Sequence, residues 1–69
     1  MLEKAIITKV YIDNEFFHYT VQLTMNGVNL ASIIFKELHI KEFENGFCIK
    51  GDLASFIYVY EYSFQKMCL

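Results

Sequence analysis

Hydrophobic and polar residues alternate with a period of two over the first half of the chain, which predicts strands that bury one face. A first strand ends at the polar turn of residues 13–15, and one of its sides carries Ile6, Thr8, Val10 and Ile12. The clearest amphipathic strand follows, with one face made of Phe17, Tyr19, Val21, Leu23 and Met25. Its opposite face is made of His18, Thr20, Gln22 and Thr24.

The pair Asn26-Gly27 predicts a hairpin after this strand, because it suits the positive φ angles of a two-residue type I′ turn. In that register Met25 faces Val28, Leu23 faces Leu30, Val21 faces Ser32 and Tyr19 faces Ile34. A slip by one residue would turn the other face of the strand toward the core.

Asn45-Gly46 predicts a second hairpin. A three-residue loop with Gly46 at a bulge sorts the faces best, since it pairs Phe43 with Phe47 and Lys41 with Ile49. Gly51-Asp52 then predicts a turn into the last strand.

Residues 53–64 are apolar or aromatic on both faces, so a strand here must be covered on both sides. One face is a row that we expect to form an interface: Phe56, Tyr58, Tyr60, Tyr62 and Phe64. On the reverse side of the first three strands we expect a further apolar set: Ala5, Ile7, Tyr11, Phe16, Ile33 and Phe35.

These elements predict a single all-β domain over residues 1–69, a small antiparallel meander of five or six strands that closes into a barrel or a twisted sheet. An α+β alternative stays open, because Asn29 could cap a helix over residues 29–42 whose apolar stripe would be Leu30, Ile33, Ile34 and Leu38.

The apolar content exceeds what so short a chain can bury. Hydrophobic residues make up 55% of the 69 residues and aromatic residues 17%, with 7 Phe and 5 Tyr. Domains of about 60 residues bury only about 60% of their unfolded surface. We therefore expect a homo-oligomer, a protein partner, or both to cover the remainder.

The charge pattern disfavours nucleic acid as a partner, because the net charge is −2 and the chain has no arginine. No apolar run reaches the roughly 20 residues that span a bilayer. The two cysteines, one of them at the penultimate position, indicate free thiols and a reducing cytoplasmic location without membrane attachment.

No catalytic, metal or cofactor motif emerges from the sequence. His18, His39, Cys48 and Cys68 lack the close spacing of zinc ligands. The register chosen for the second hairpin also places Cys48 on the face opposite His39, which argues against a nucleophile and base pair. Glu37, Glu42 and Glu44 are read as charges that protect the solvent side of a hairpin.

The sequence therefore predicts a non-enzymatic interaction protein, a homo-oligomeric β domain that binds and inhibits a larger protein. One alternative is a small-ligand or nucleotide binder with a pocket between subunits, lined by Tyr58, Tyr60 and Tyr62. The other is a small barrel that stacks single-stranded nucleic acid on the aromatic row.

Overall fold

The computed structural model describes residues 1–53 and 55–69 and consists of a single six-stranded sheet. Within that part of the chain there is no helix, so the all-β prediction is confirmed and the helix considered for residues 29–42 is wrong. That segment forms two strands instead. The strands are β1 (Leu2–Ile12), β2 (Glu15–Met25), β3 (Val28–Phe35), β4 (Leu38–Phe43), β5 (Gly46–Gly51) and β6 (Phe56–Cys68).

The strand order is β3-β2-β1-β6-β5-β4, so the first and last strands meet at the centre. Each half of the chain is an antiparallel meander, as the alternating pattern predicts, but β1 and β6 pair in parallel and make the sheet mixed. The sheet is twisted and is not closed into a barrel, because β3 and β4 remain as its two edges.

The two turns of the first meander are tight and left-handed. Asp13 and Asn14 both have positive φ angles, as do Asn26 (54°) and Gly27 (76°). The predicted type I′ turn at Asn26-Gly27 is confirmed, and Met25 pairs with Val28 as expected.

The predicted register of that hairpin is wrong beyond its first pairs. A β-bulge at Leu30 shifts the partners by one residue, so Leu23 pairs with Ala31 and Val21 with Ile33. The bulge leaves Leu30 and Ile34 exposed and turns Phe35 into the core, where it is 1% exposed. Turn chemistry fixes only the residues next to a turn, and a bulge inserts its extra residue farther along the strand.

The second hairpin also differs from its prediction. Its loop is Glu44-Asn45 and Gly46 belongs to β5, so Phe43 pairs with Gly46 and Glu42 with Phe47. Lys41 therefore pairs with Cys48 rather than with Ile49. Gly46 is part of the strand because its backbone packs closely against β6, next to the carbonyl of Val59.

The core lies on one face of the sheet and draws residues from every strand except β4, with Leu38 and Ile40 of that strand packed against it. The apolar side chains expected on the reverse of the first strands are largely the core itself: Ala5, Ile7 and Phe35 are buried and Ile33 packs against them. The whole cluster is Ala5, Ile7, Val21, Leu23, Phe35, Ile49, Ile57 and Val59.

The core face is concave, because the two meanders approach each other across it. The Phe35 ring at the end of β3 lies against Gly51 at the end of β5. Beside this contact, the Asp52 carboxylate accepts hydrogen bonds from the backbone N–H groups of Lys36 (3.0 Å) and Glu37 (3.4 Å), which form the link between β3 and β4. Desolvation opposes ionisation, but these N–H donors outweigh it and hold the pKa of Asp52 below its usual value.

Candidate functional site

The aromatic row predicted on the last strand divides between the two faces of the sheet. Phe56, Tyr58 and Tyr60 are exposed, at 60%, 46% and 59%. Phe56 and Tyr58 pair with Lys50 and Cys48, on the face opposite Ile49 and Ile57 of the core. Tyr62 instead packs against the core, where its ring contacts that of Phe47 edge to face, with the two ring centroids 4.8 Å apart.

The division arises because the alternation of buried and exposed residues along β6 is interrupted in the middle of the strand. Ile57 and Val59 are buried, Tyr60 and Glu61 are both exposed, and Tyr62 and Ser63 are both half-buried. Beyond this change Tyr62 pairs with Ala5 and Phe64 with Ile7, two core residues. The prediction that all five aromatic side chains share one face is therefore wrong for Tyr62 and Phe64, although Phe64 remains 53% exposed.

A fourth exposed aromatic ring, from β4, lies beside the three exposed rings of β6. Phe43 of β4 is 42% exposed and its ring centroid lies 5.9 Å from that of Tyr58. We call Phe43, Phe56, Tyr58 and Tyr60 the aromatic face. Two ammonium groups rest against its rings: Lys41 lies 5.5 Å from the centroid of Phe43 and Lys50 lies 5.3 Å from that of Phe56.

A groove of about 290 Å³ crosses this face, and His39 and Cys48 both line it. The hairpin register predicted from sequence put these two residues on opposite faces, and the actual pairing of His39 with Lys50 and Lys41 with Cys48 puts them on the same one. Cys48 is nevertheless only 5% exposed. Its thiol is thus packed beneath the aromatic side chains rather than presented to a substrate.

The other candidate ligands lie on separate elements. His18 is on β2, and Cys68 is the last residue of β6. Both cysteines are free thiols, Cys48 buried and Cys68 exposed. Among residues 1–53 and 55–69, no three His, Cys, Asp or Glu side chains come close enough together to hold a metal ion.

A larger cavity, of about 560 Å³, opens on the concave face of the sheet. Its lining comes from β1, β2, β4 and β6: Lys9, Tyr19, Leu38, Ile40, Phe64, Gln65 and Lys66. Sequence reasoning missed this cavity. Its two lysines are brought together only by the parallel pairing of β1 with β6.

The two edges of the sheet differ in charge. Strand β4, LHIKEF, carries a lysine and a glutamate, whereas β3, VNLASIIF, carries no charged residue. Val28, Leu30 and Ile34 of β3 are each more than half exposed. Charged side chains at an edge normally prevent pairing with another chain, and β3 has none of them.

Comparison of the chain with protein-family models, with curated proteins and with solved structures gives no match. In the described residues no helix has the length and apolar character needed to cross a bilayer.

Proposed function

We propose that this chain is a non-enzymatic interaction protein that assembles as a homo-oligomer and binds a larger protein, which it inhibits by covering part of that protein's surface. The observation that carries the proposal is the aromatic face. Exposed Phe and Tyr side chains in one patch are typical of surfaces that another protein covers.

The composition of the aromatic face favours a partner with acidic and apolar groups. Rigid rings supply contact area at a low cost in side-chain entropy, and the tyrosine hydroxyl groups supply hydrogen bonds. Lys41 and Lys50 add positive charge beside the rings, and none of the described residues that line the groove is acidic. Complementary charge would orient such a partner and speed its association.

A protein partner is favoured over single-stranded nucleic acid by the number of cations. The aromatic face has two lysines near its rings, which would neutralise about two phosphates and give a salt dependence of only about −1.4 in log–log slope. A binding groove for single strands normally follows the backbone over several nucleotides with more cations than this.

Capture from a lysate of the native host tests the partner proposal. We expect immobilised wild-type protein to retain a specific protein, and Phe56→Ser with Tyr60→Ser to weaken that complex by at least about 2 kcal/mol, roughly thirtyfold in Kd, because exposed aromatic anchors dominate such interfaces. The control is Ile34→Lys, on the β3 edge, which should leave capture unchanged. Equal capture by the double variant, or a salt-dependent complex with a single-stranded oligonucleotide instead, would contradict the proposal.

Self-association is supported by a different observation, the uncharged β3 edge. Strand β6, whose aromatic row the sequence predicted to form an interface, pairs with β5 only over residues 56–59 and with β1 from Val59 to Cys68. Its second half has no partner strand on the β5 side but carries Glu61 and Lys66, charges that oppose edge pairing. Strand β3 offers a free row of N–H and C=O groups together with exposed Val28, Leu30 and Ile34. Two copies of β3 pairing antiparallel about a two-fold axis would continue the sheet and close the assembly as a dimer.

Light scattering after size exclusion tests this dimer. We expect the wild-type protein to have twice the mass of one chain at micromolar concentration, and Ile34→Lys to have the mass of a monomer with an unchanged circular dichroism spectrum, because lysine on an edge strand opposes pairing. Glu42→Lys, on the other edge, is the matched control and should remain dimeric. A wild-type protein that stays monomeric at the highest soluble concentration would refute the dimer.

A further inference from the structure

Two lysines face each other across the centre of the sheet. Lys9 of β1 and Lys66 of β6 are register partners on neighbouring parallel strands, and both line the cavity of the concave face. Neighbouring strands lie only about 4.8 Å apart, and like charges directly opposite each other are destabilising. We expect a pair of like charges in this position to reduce the stability of the free protein unless a ligand neutralises it.

Neither ammonium group finds a carboxylate at the cavity, since no acidic residue is among the described residues that line it. Instead each rests against a tyrosine ring. The Nζ atom of Lys66 lies 4.9 Å from the ring centroid of Tyr11, and that of Lys9 lies 5.9 Å from the centroid of Tyr19. Such contacts hold a cation in place without neutralising its charge.

The remaining walls of the cavity are apolar and aromatic. Tyr19 and Phe64 lie on the side of the two lysines, and Leu38 and Ile40 of β4 form the opposite wall. The Tyr19 ring is itself supported by Phe16, whose centroid lies 4.9 Å away. A volume of about 560 Å³ lies within the range of roughly 300 to 1,000 Å³ that small-molecule sites occupy.

We propose that this cavity binds a small aromatic phosphomonoester, the chemical class of a mononucleotide, with its phosphate between Lys9 and Lys66 and its ring between the aromatic side chains and the β4 wall. A phosphomonoester carries a charge of about −1.5 to −2 at pH 7, which matches two ammonium groups. The site lies within one chain and includes no residue of the aromatic face or of β3, so its test does not depend on the proposed partner or dimer.

An amide NMR titration of the full chain with adenosine 5′-monophosphate tests the site. We expect the amide resonances of the residues that line the cavity to shift. Adenosine, which lacks the phosphate, and inorganic phosphate, which lacks the aromatic ring, should both bind much more weakly. Lys9→Gln and Lys66→Gln should each weaken binding by about tenfold or more, because each removes a charge-assisted hydrogen bond. Either change should also raise the Tm of the free protein, since it relieves the repulsion between the two lysines.

Lys50→Gln is the matched control, because it removes a lysine from the opposite face of the sheet and should leave the affinity unchanged. The proposal is overturned if the nucleotide causes no shift at millimolar concentration, or if the shifts centre on the groove beside His39 and Lys50. Decanoate, a carboxylate with an aliphatic chain, tests whether the lysines and apolar walls select a different anion. If decanoate binds and the nucleotide does not, an aromatic phosphomonoester is the wrong ligand class.

Discussion

Replacement of Gly46 by alanine is expected to lower the free energy of unfolding by about 3 kcal/mol, through backbone strain and overpacking together. A methyl group on Gly46 would overlap the carbonyl oxygen of Val59 and approach the Cα atom of Tyr60 to 3.3 Å. These are backbone atoms of a paired strand, so they cannot move aside as the end of a flexible side chain could. Gly46 also has a φ of +157°, which L-residues rarely adopt.

Chemical denaturation measures this effect, and Gly27→Ala is the matched control. Gly27 also has a positive φ, but a methyl group there would meet no atom within 4 Å. Its substitution should cost only the backbone strain, about 1 kcal/mol. A domain of this length has a total stability of roughly 3 to 10 kcal/mol, so Gly46→Ala should remove between about a third and all of it. Equal costs at the two positions would show that the contact with β6 does not matter.

Replacement of Gly51 by alanine is expected to cost about 2 to 3 kcal/mol through overpacking alone. Its φ is not in the left-handed region, but a methyl group would overlap the ring of Phe35 and lie 2.6 Å from its Cγ atom. Phe35 is 1% exposed and cannot leave its position without opening the core. The measurement is again the free energy of unfolding from a denaturant titration.

A double-mutant cycle separates this contact from a general loss of stability. In a Phe35→Leu background the ring is gone, so the added cost of Gly51→Ala should fall by at least about 1 kcal/mol, which is well within the range of coupling between touching residues. Additive costs would mean that the two meanders do not meet at these residues.

Local chemistry in the sequence carries the prediction of the strands and of the first hairpin turn. Asn26-Gly27 forms the turn it predicts, and the period-two pattern places Tyr19, Val21 and Leu23 on the core side. The pairing of residues farther from the turns could not be predicted in this way. The bulge at Leu30 and the place of Gly46 in β5 depend on contacts with other strands, and those contacts leave no local signal.

The candidate sites were predictable to different degrees for the same reason. The exposure expected for Phe56, Tyr58 and Tyr60 is found, because one strand alternates regularly up to that point. Tyr62 turns inward because the regular alternation of exposed and buried residues along β6 ends at Tyr60, and nothing in the local sequence signals that change. The pairing of Lys9 with Lys66 follows from the parallel contact of the first and last strands, which no short-range pattern encodes.

That parallel contact also determines how the fold bears a mechanical load. Force applied at Leu2, where β1 begins, and at Cys68, where β6 ends, pulls two neighbouring strands along their length in opposite directions. Their hydrogen bonds are evenly spaced, so all of them share the load and must break together in shear. A hairpin pulled at its open end unzips one bond after another. The outer strands, β2 and β3 on one side and β4 and β5 on the other, do not lie between the two pulling points, so the contact of β1 with β6 bears the load.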